Sequence, residues 1–266
     1  MQIAFVARRI ISNLFFKSDS ALNLNKELVV LCFHSFSTNN DRYSIDPLIF
    51  ENQIKNILKY STFIDLFGIK KVLDGKNENT SRILITIDDG FEDVLNILPI
   101  TKKYNIPVIL FVMSNRKKVN RCELGNEAGL LSWNQIKYLQ NQGWVIGCHS
   151  ATHSNFSELS ISELKTEILQ SKKDLESRLH LKINAFAYPK GIVNQDILTL
   201  VRDAGYEFGF TIDTGAVNLR SNKYLIPRTI IDKTHSPSEF PAIYTKSWLM
   251  FRKMTNGMKL WEKFLQ

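Results

Sequence analysis

Two short stretches of this 266-residue chain hold residue types that can bind a metal and move a proton. In ILITIDDGFED, the adjacent carboxylates Asp88 and Asp89 close an apolar run and are followed at once by Gly90. Side chains alternate along a strand, so neighbouring aspartates at its end can take different tasks, one binding a metal and the other moving a proton. Alone, the same residues make an ordinary Asp-Asp-Gly turn. In GWVIGCHSATHSN a second apolar run ends in His149 and, four residues on, His153, a spacing that brings both imidazoles to one side of a helical turn. Two neutral imidazoles and one carboxylate make a three-ligand set that leaves a position open for water. A histidine pair on a surface has the same spacing, and it is the combination with Asp88 and Asp89 that points to a metal.

Such residues need strand ends to hold them, and the chain supplies candidates. Short apolar runs recur at Leu28 to His34, Arg82 to Asp88, Pro107 to Val112, Trp144 to His149, Ala185 to Pro189, Phe208 to Asp213 and Tyr224 to Ile231. They are apolar throughout rather than alternating, as strands buried on both faces of a parallel sheet or barrel are. Between them, Ile49, Phe50, Ile54, Ile57 and Leu58 form one helical stripe, and Ile161, Leu164, Ile168, Leu175 and Leu179 another. Ser132 with Gln135, and Ser160 with Glu163, have the spacing of capping boxes where two of the helices should begin. The reading is α/β alternation in one domain, and 266 residues suit a single barrel.

Composition narrows the class. Hydrophobic residues at 44% and charged residues at 23% exclude a disordered or collagenous chain. Cys32, Cys122 and Cys148 are odd in number and form no C-x-x-C pair, against a disulfide framework or a thiolate zinc site. A net charge of +8 favours anionic surroundings without choosing among membrane, acidic glycan and nucleic acid. No apolar run is long enough for a conventional membrane-spanning helix. At the start, Ile3, Val6, Ile10 and Leu14 recur at helical spacing, and a degenerate secretion signal is the other reading. Residues 114 to 131, with Arg116, Lys117, Lys118 and Arg121, are either a lid or substrate rim or a solvated basic loop. From Tyr244 onward, Trp248, Phe251, Met254, Met258, Trp261 and Leu265 form an apolar stripe bordered by Lys246, Arg252, Lys253, Lys259 and Lys263. Such a helix covers the barrel or lies on an anionic membrane. Expected boundaries are therefore 1–27 for an N-terminal helical segment, 28–235 for the barrel and 236–266 for the C-terminal basic amphipathic helix.

Thr86-Ile87-Asp88-Asp89-Gly90 and His149-Ser150-Ala151-Thr152-His153 resemble the first two motifs of the polysaccharide deacetylase family, the NodB homology domain or carbohydrate esterase family 4. Phe186-Ala187-Tyr188-Pro189-Lys190-Gly191 resembles its third motif, and the similarity runs from about Leu28 to Ile231. The resemblance implies a distorted (β/α) barrel, Asp89, His149 and His153 as metal ligands, Asp88 as general base, and Tyr188, Pro189 and Lys190 at the substrate or oxyanion. It implies one divalent ion, with zinc as the default and cobalt, nickel or iron as fitting alternatives. Two features depart from the family. Ala187 stands where many relatives have an arginine that orients the base, and Arg228 is the candidate replacement. No C-terminal Leu-x-His motif supplies the acid. His34, ending the first run, instead resembles the biofilm exopolysaccharide deacetylase branch, whose acid histidine comes from this N-terminal position. Neighbouring first and last strands in a closed barrel let either chain end deliver that group. The implied substrate is an N-acetylated amino sugar in a polysaccharide, oligosaccharide or lipid-linked precursor, with no nucleic acid partner. Rival readings are a deformylase or cyclic-imide hydrolase on the same barrel, and an inactive glycan-binding barrel. The expected location is cytoplasmic, peripheral on the inner membrane face through residues 244–266, with secretion as the alternative.

Overall fold

The computed structural model describes residues 10–11, 13–19, 28–39, 41–76, 80–119, 129–233, 235 and 240–257. Eight strands form one parallel sheet: β1 (Leu28–Phe33), β2 (Ser61–Phe63), β3 (Ser81–Ile87), β4 (Val108–Val112), β5 (Val145–Cys148), β6 (Ala185–Ala187), β7 (Phe208–Phe210) and β8 (Thr229–Ile230). The order is β7-β6-β5-β4-β3-β1-β8, with β2 beside the start of β3. A parallel bridge from Phe210 to Ile226 ties the β7 edge to the segment entering β8, with Ile226 N donating to Gly209 O at 2.8 Å and Thr211 N to Ile226 O at 2.9 Å. The result is the distorted (β/α) barrel, and β1 and β8 are neighbours as closure requires.

Six of the strands lie within the apolar runs of the sequence, and β3 starts one residue before its run. The eighth, β2, reads Ser-Thr-Phe and so makes no apolar run to reveal it. The run Tyr224 to Ile231 is not one strand. Pro227 has no N–H to give a ladder, so Ile226 pairs with β7 and only Thr229–Ile230 pairs with β1.

Alternation along the strands divides the core in two. Val29, Leu31, Phe33, Ile83, Ile85, Ile87, Val108, Leu110 and Val112 face the surrounding helices, meeting Phe50, Ile54, Ile136, Leu164, Ile168 and Leu175. Leu28, Val30, Leu84, Ile109, Phe111, Ala185, Ala187, Phe208, Phe210 and Ile226 fill the interior, with Ile69, Val72 and Val217 in the same cluster. On β1 the interior positions run Leu28, Val30, Cys32 and on to His34; on β3 they run Leu84, Thr86 and on to Asp88. The interior thus changes from apolar to polar towards the C-terminal strand ends.

The helices start where the caps predict. Ser132 with Gln135 and Ser160 with Glu163 form complete capping boxes, each meeting two orphan N–H groups at a helix start. The helix begun at Ile161 widens into a π-helical turn at Thr166–Gln170 and continues as Ser171–Leu179, ending at left-handed His180. Of the two predicted stripes, Phe50, Ile54, Ile57, Leu164, Ile168, Leu175 and Leu179 are buried, whereas Ile49, Leu58 and Ile161 are exposed.

The N-terminal stripe is rotated by one residue from expectation. Ile10 and Leu14 are exposed while Ile11 and Phe15 pack on the core, and the part of the stripe in residues 1–9 lies outside the described residues. Helix Lys246–Gly257 buries Trp248 and Leu249 in the main core. Fully buried Asp19 accepts from the backbone N of Ser247 at 2.7 Å and its Oγ at 2.5 Å, and the Phe15 and Phe251 rings are 5.6 Å apart, so residues 15–19 pack against helix Lys246–Gly257. Among the described residues no helix is long and apolar enough to cross a membrane.

Candidate metal centre

Asp89, His149 and His153 converge at the C-terminal ends of β3 and β5. Asp89 Oδ1 lies 3.4 Å from His149 Nε2 and 3.6 Å from His153 Nε2. Ligand atoms about 2.0–2.1 Å from one tetrahedral ion stand about 3.4 Å apart, so the spacing fits. Asp89 Oδ1 is buried without a hydrogen bond, and so is the other ring nitrogen of His153, Nδ1. His149 is oriented through its other nitrogen, Nδ1, 2.8 Å from the Ala187 carbonyl. That fixes the tautomer that leaves Nε2 as a ligand.

The histidines do not share a helical turn. Ser150 (φ 64°) and His153 (φ 63°) are left-handed, and the loop bends so that His153 N donates to Ser150 Oγ at 3.0 Å. Asp89 (φ 68°) and Gly90 (φ 66°) are left-handed too, which turns the chain immediately after Asp88. Such a conformation in a non-glycine residue costs on the order of 1 kcal/mol or more, strain typical of sites. Burial pushes the His153 imidazole down to about 4, with the neighbouring His149 adding to it, so it is neutral as ligation requires. Burial also disfavours charge on His149, but Asp88 and Asp89 outweigh it and hold that ring above the usual value.

Asp88 is engaged differently. Its Oδ1 and Oδ2 receive Arg228 Nη1 and Nη2 at 2.7 and 2.8 Å, a bidentate pair with both residues buried. Arg228 is itself held by the Thr211 carbonyl (2.8 Å) and Thr86 Oγ1 (3.3 Å), its guanidinium 5.5 Å from the Phe111 ring centroid. Burial alone would raise the Asp88 pKa; the charge of Arg228 overcomes this and holds the carboxyl well below the ordinary carboxylate range. Asp88 Oδ2 also lies 3.8 Å from His149 Nε2, so the ionised carboxylate borders the ligand set. Arg228, directly before β8, thus pairs with the carboxylate beside which the sequence reading places it as a replacement for the arginine missing at Ala187.

His34 follows β1, its ring 4.8 Å from Tyr43 and its buried Nδ1 without a partner. It stands close enough to Asp88 and Asp89 that a positive charge on its ring would favour their ionised forms. His235 instead hydrogen-bonds Asp232 at 3.1 Å. Tyr188 is a correction: its ring is fully buried and both its donors are used inside the protein, the hydroxyl on the Tyr224 carbonyl at 2.9 Å and the N–H on Phe210 O at 3.0 Å. Pro189 is buried, whereas Lys190 is exposed and left-handed (φ 55°), its charge acting on His153. Three residues at the site were not foreseen: Cys32, whose Sγ is 3.5 Å from Asp88 Oδ2, Thr86 under Arg228, and Glu167 behind the histidine loop. Cys32 and His34 share one face of β1, so alternation could have found the first.

The 114–131 segment ends against the aspartate turn: Phe91 bridges Leu130 and Leu131 N donates to Gly90 O at 2.9 Å. Arg116 stacks on Trp133, 4.1 Å from its centroid, while Lys117 and Lys118 are exposed; Arg121 lies outside the described residues.

A sequence model of the polysaccharide deacetylase family matches residues 75–209, spanning the aspartate turn, the histidine loop and β6. The chain is 30% identical over 238 residues to a poly-β-1,6-N-acetyl-D-glucosamine N-deacetylase of Staphylococcus aureus (strain MRSA252), covering 81% of this chain and 80% of that one. Its fold is similar to IcaB from Ammonifex degensii, with TM-score 0.69, 24% identity and 84% and 97% of the two chains covered. It is likewise similar to the Streptococcus pyogenes deacetylase PplD in complex with acetate, with TM-score 0.68, 22% identity and 80% and 96% covered.

Proposed function

The chain belongs to the polysaccharide deacetylase family, and from that premise we propose that this metal-dependent N-deacetylase acts on β-1,6-linked N-acetylglucosamine, with zinc held by Asp89, His149 and His153. One observation carries the site reading: three ligand atoms within 4.8 Å of one another stand beside a carboxylate kept ionised by its own buried arginine. The linkage rests on the name of the Staphylococcus aureus relative. Zinc rests on the N and O donor set, which cobalt, nickel and iron also suit.

When bound, the ion supplies Lewis-acid chemistry, polarising the acetamide carbonyl and acidifying a water. Asp88 takes the proton of the attacking water, and Arg228 keeps it ionised to do so while fixing its plane. The family resemblance assigns the oxyanion donor to the backbone amide that follows Pro189, at exposed, left-handed Lys190. His34 gives a proton to the departing nitrogen, so that acetate and a free amino sugar are released. The inactive-barrel reading drew on the missing arginine at Ala187, and the Arg228–Asp88 pair removes that support.

Contact with an anionic membrane, where a lipid-linked precursor would be the acceptor, is a separate part of the proposal. It rests on the basic residues of 244–266, because Trp248 and Leu249 are already buried in the core. The substrate reading is tested by acetate release from N-acetylglucosamine oligomers of different linkage. The β-1,6-linked oligomers should be turned over at least about tenfold faster than β-1,4-linked ones, a difference of about 1.4 kcal/mol in transition-state binding. Equal or faster release from the β-1,4 series rejects the proposed linkage.

A further inference from the structure

We infer that Glu167 is a positioning residue that sets the shape of the His149–His153 loop and through it the affinity of the metal site; the inference rests on the reading of Asp89, His149 and His153 as ligands. The loop needs an external support, because Ser150 and His153 are both left-handed, a conformation that non-glycine residues avoid. On one side it is held by the strand end: Ser114 N and Asn115 N, just past β4, donate to the carbonyls of Ser150 and Ala151 at 3.2 and 2.9 Å. On the other side stands Glu167. Its Oε2 accepts the N–H groups of Ala151 (3.0 Å) and Thr152 (2.9 Å), and its Oε1 accepts the Thr152 hydroxyl at 2.7 Å. A carboxylate received by two successive amides is an anion in a backbone nest, and here the nest lies between the two ligands.

Glutamate on a helix ordinarily points to water, yet this one is 6% exposed. It lies in the π-helical turn Thr166–Gln170, whose extra residue shifts the register of the helix face at that point. Among the described residues no lysine or arginine pairs with it, so the donors of the loop are what satisfy its buried carboxylate. Removing the carboxylate leaves both amides and the strained loop without that support, and His153 free to leave the position 3.6 Å from Asp89.

The test is zinc titration of the full chain against a competing chromophoric chelator, with thermal unfolding of each variant recorded alongside. Glu167→Ala should weaken zinc binding about 10–100-fold, the loss usual when a partner that orients a ligand is removed. Glu167→Gln should stay within about threefold of wild type, because its carbonyl can keep both amides while its NH₂ turns to Thr152 Oγ1. Asp89→Ala should lose the ion in the same assay. If Glu167→Ala binds zinc as wild type does while Asp89→Ala does not, the inference is overturned and the ligand assignment stands; if Asp89→Ala also binds normally, the ligand assignment is what fails. A Gln variant as weak as Ala would assign the effect to charge and equally overturn positioning. Should Glu167→Ala be too unstable to titrate, Thr152→Ala decides: about threefold or greater loss supports the inference and unchanged affinity overturns it.

Discussion

A buried carboxylate can act as a base only if something keeps it ionised, and at Asp88 that is Arg228, which meets both oxygens. Asp88→Asn should therefore keep the metal and lose about 10²–10⁴ in turnover. It should also unfold more easily, by about 3–5 kcal/mol, because Arg228 is left as an uncompensated buried charge. Metal analysis, acetate assay and unfolding of one preparation check all three. Arg228→Met removes the charge that holds Asp88 low, so the acid limb of kcat/KM should move to higher pH. The stability sign follows. With Arg228 present, the depressed folded pKa gives stability that is complete above the unfolded value of about 3.9 and lost as pH falls through the folded one. Without it, burial raises the folded value, and stability falls as pH rises past about 3.9. The Tm gap between wild type and Arg228→Met should thus be wider at pH 7 than at pH 4. His34→Asn should cut turnover about 100-fold or more with the metal retained; an unchanged rate beside a dead His235→Asn variant would move the acid to the other chain end. Asp88, Asp89, His34 and His149 were legible because each ends an apolar run. Tyr188 was misread because a motif does not say which face of the strand a ring takes, and Glu167 was hidden because its partners are 15 and 16 residues away across a π turn.

The elements matter to the site chiefly through ring closure. Arg228 reaches Asp88 from a segment pinned on one side to β7, at Ile226, and on the other to β1, at Thr229 and Ile230. Gly209 lets the β7 side close: a Cβ there would sit 2.5 Å from the Tyr224 carbonyl oxygen, a backbone atom that cannot turn away. Gly209→Ala should cost about 1–3 kcal/mol of stability and, by displacing the segment before Arg228, lower turnover too. Denaturant unfolding and acetate release check this together; a variant with unchanged midpoint and rate would show that closure is not needed to hold Arg228. Most strands could be read from apolar runs, and two helix starts from Ser132 with Gln135 and Ser160 with Glu163. The histidine loop could not, since a four-residue spacing fits a helical turn as well as the left-handed bend that Ser150 and His153 adopt.

At the scale of the whole molecule, the net charge of +8 and the packing of helix Lys246–Gly257 bear on where the enzyme works. Trp248 and Leu249 are in the core, while Met258, Trp261 and Leu265 of the same stripe lie outside the described residues, so the membrane proposal rests on the basic residues of 244–266. The full chain should co-sediment with anionic vesicles at low salt, lose that binding at high salt, and ignore neutral vesicles. Negligible binding to both lipids by folded protein rejects the membrane proposal. The central claim is that Asp89, His149 and His153 hold the ion through which this barrel removes N-acetyl groups. Its most direct test is acetate release from an N-acetylated β-1,6-glucosamine oligomer, measured before chelation, after chelation, and after return of one equivalent of zinc. Release should stop on chelation and return with the ion, whereas Asp89→Ala should stay silent throughout. Acetate release that persists in the stripped enzyme, or in Asp89→Ala, would contradict it.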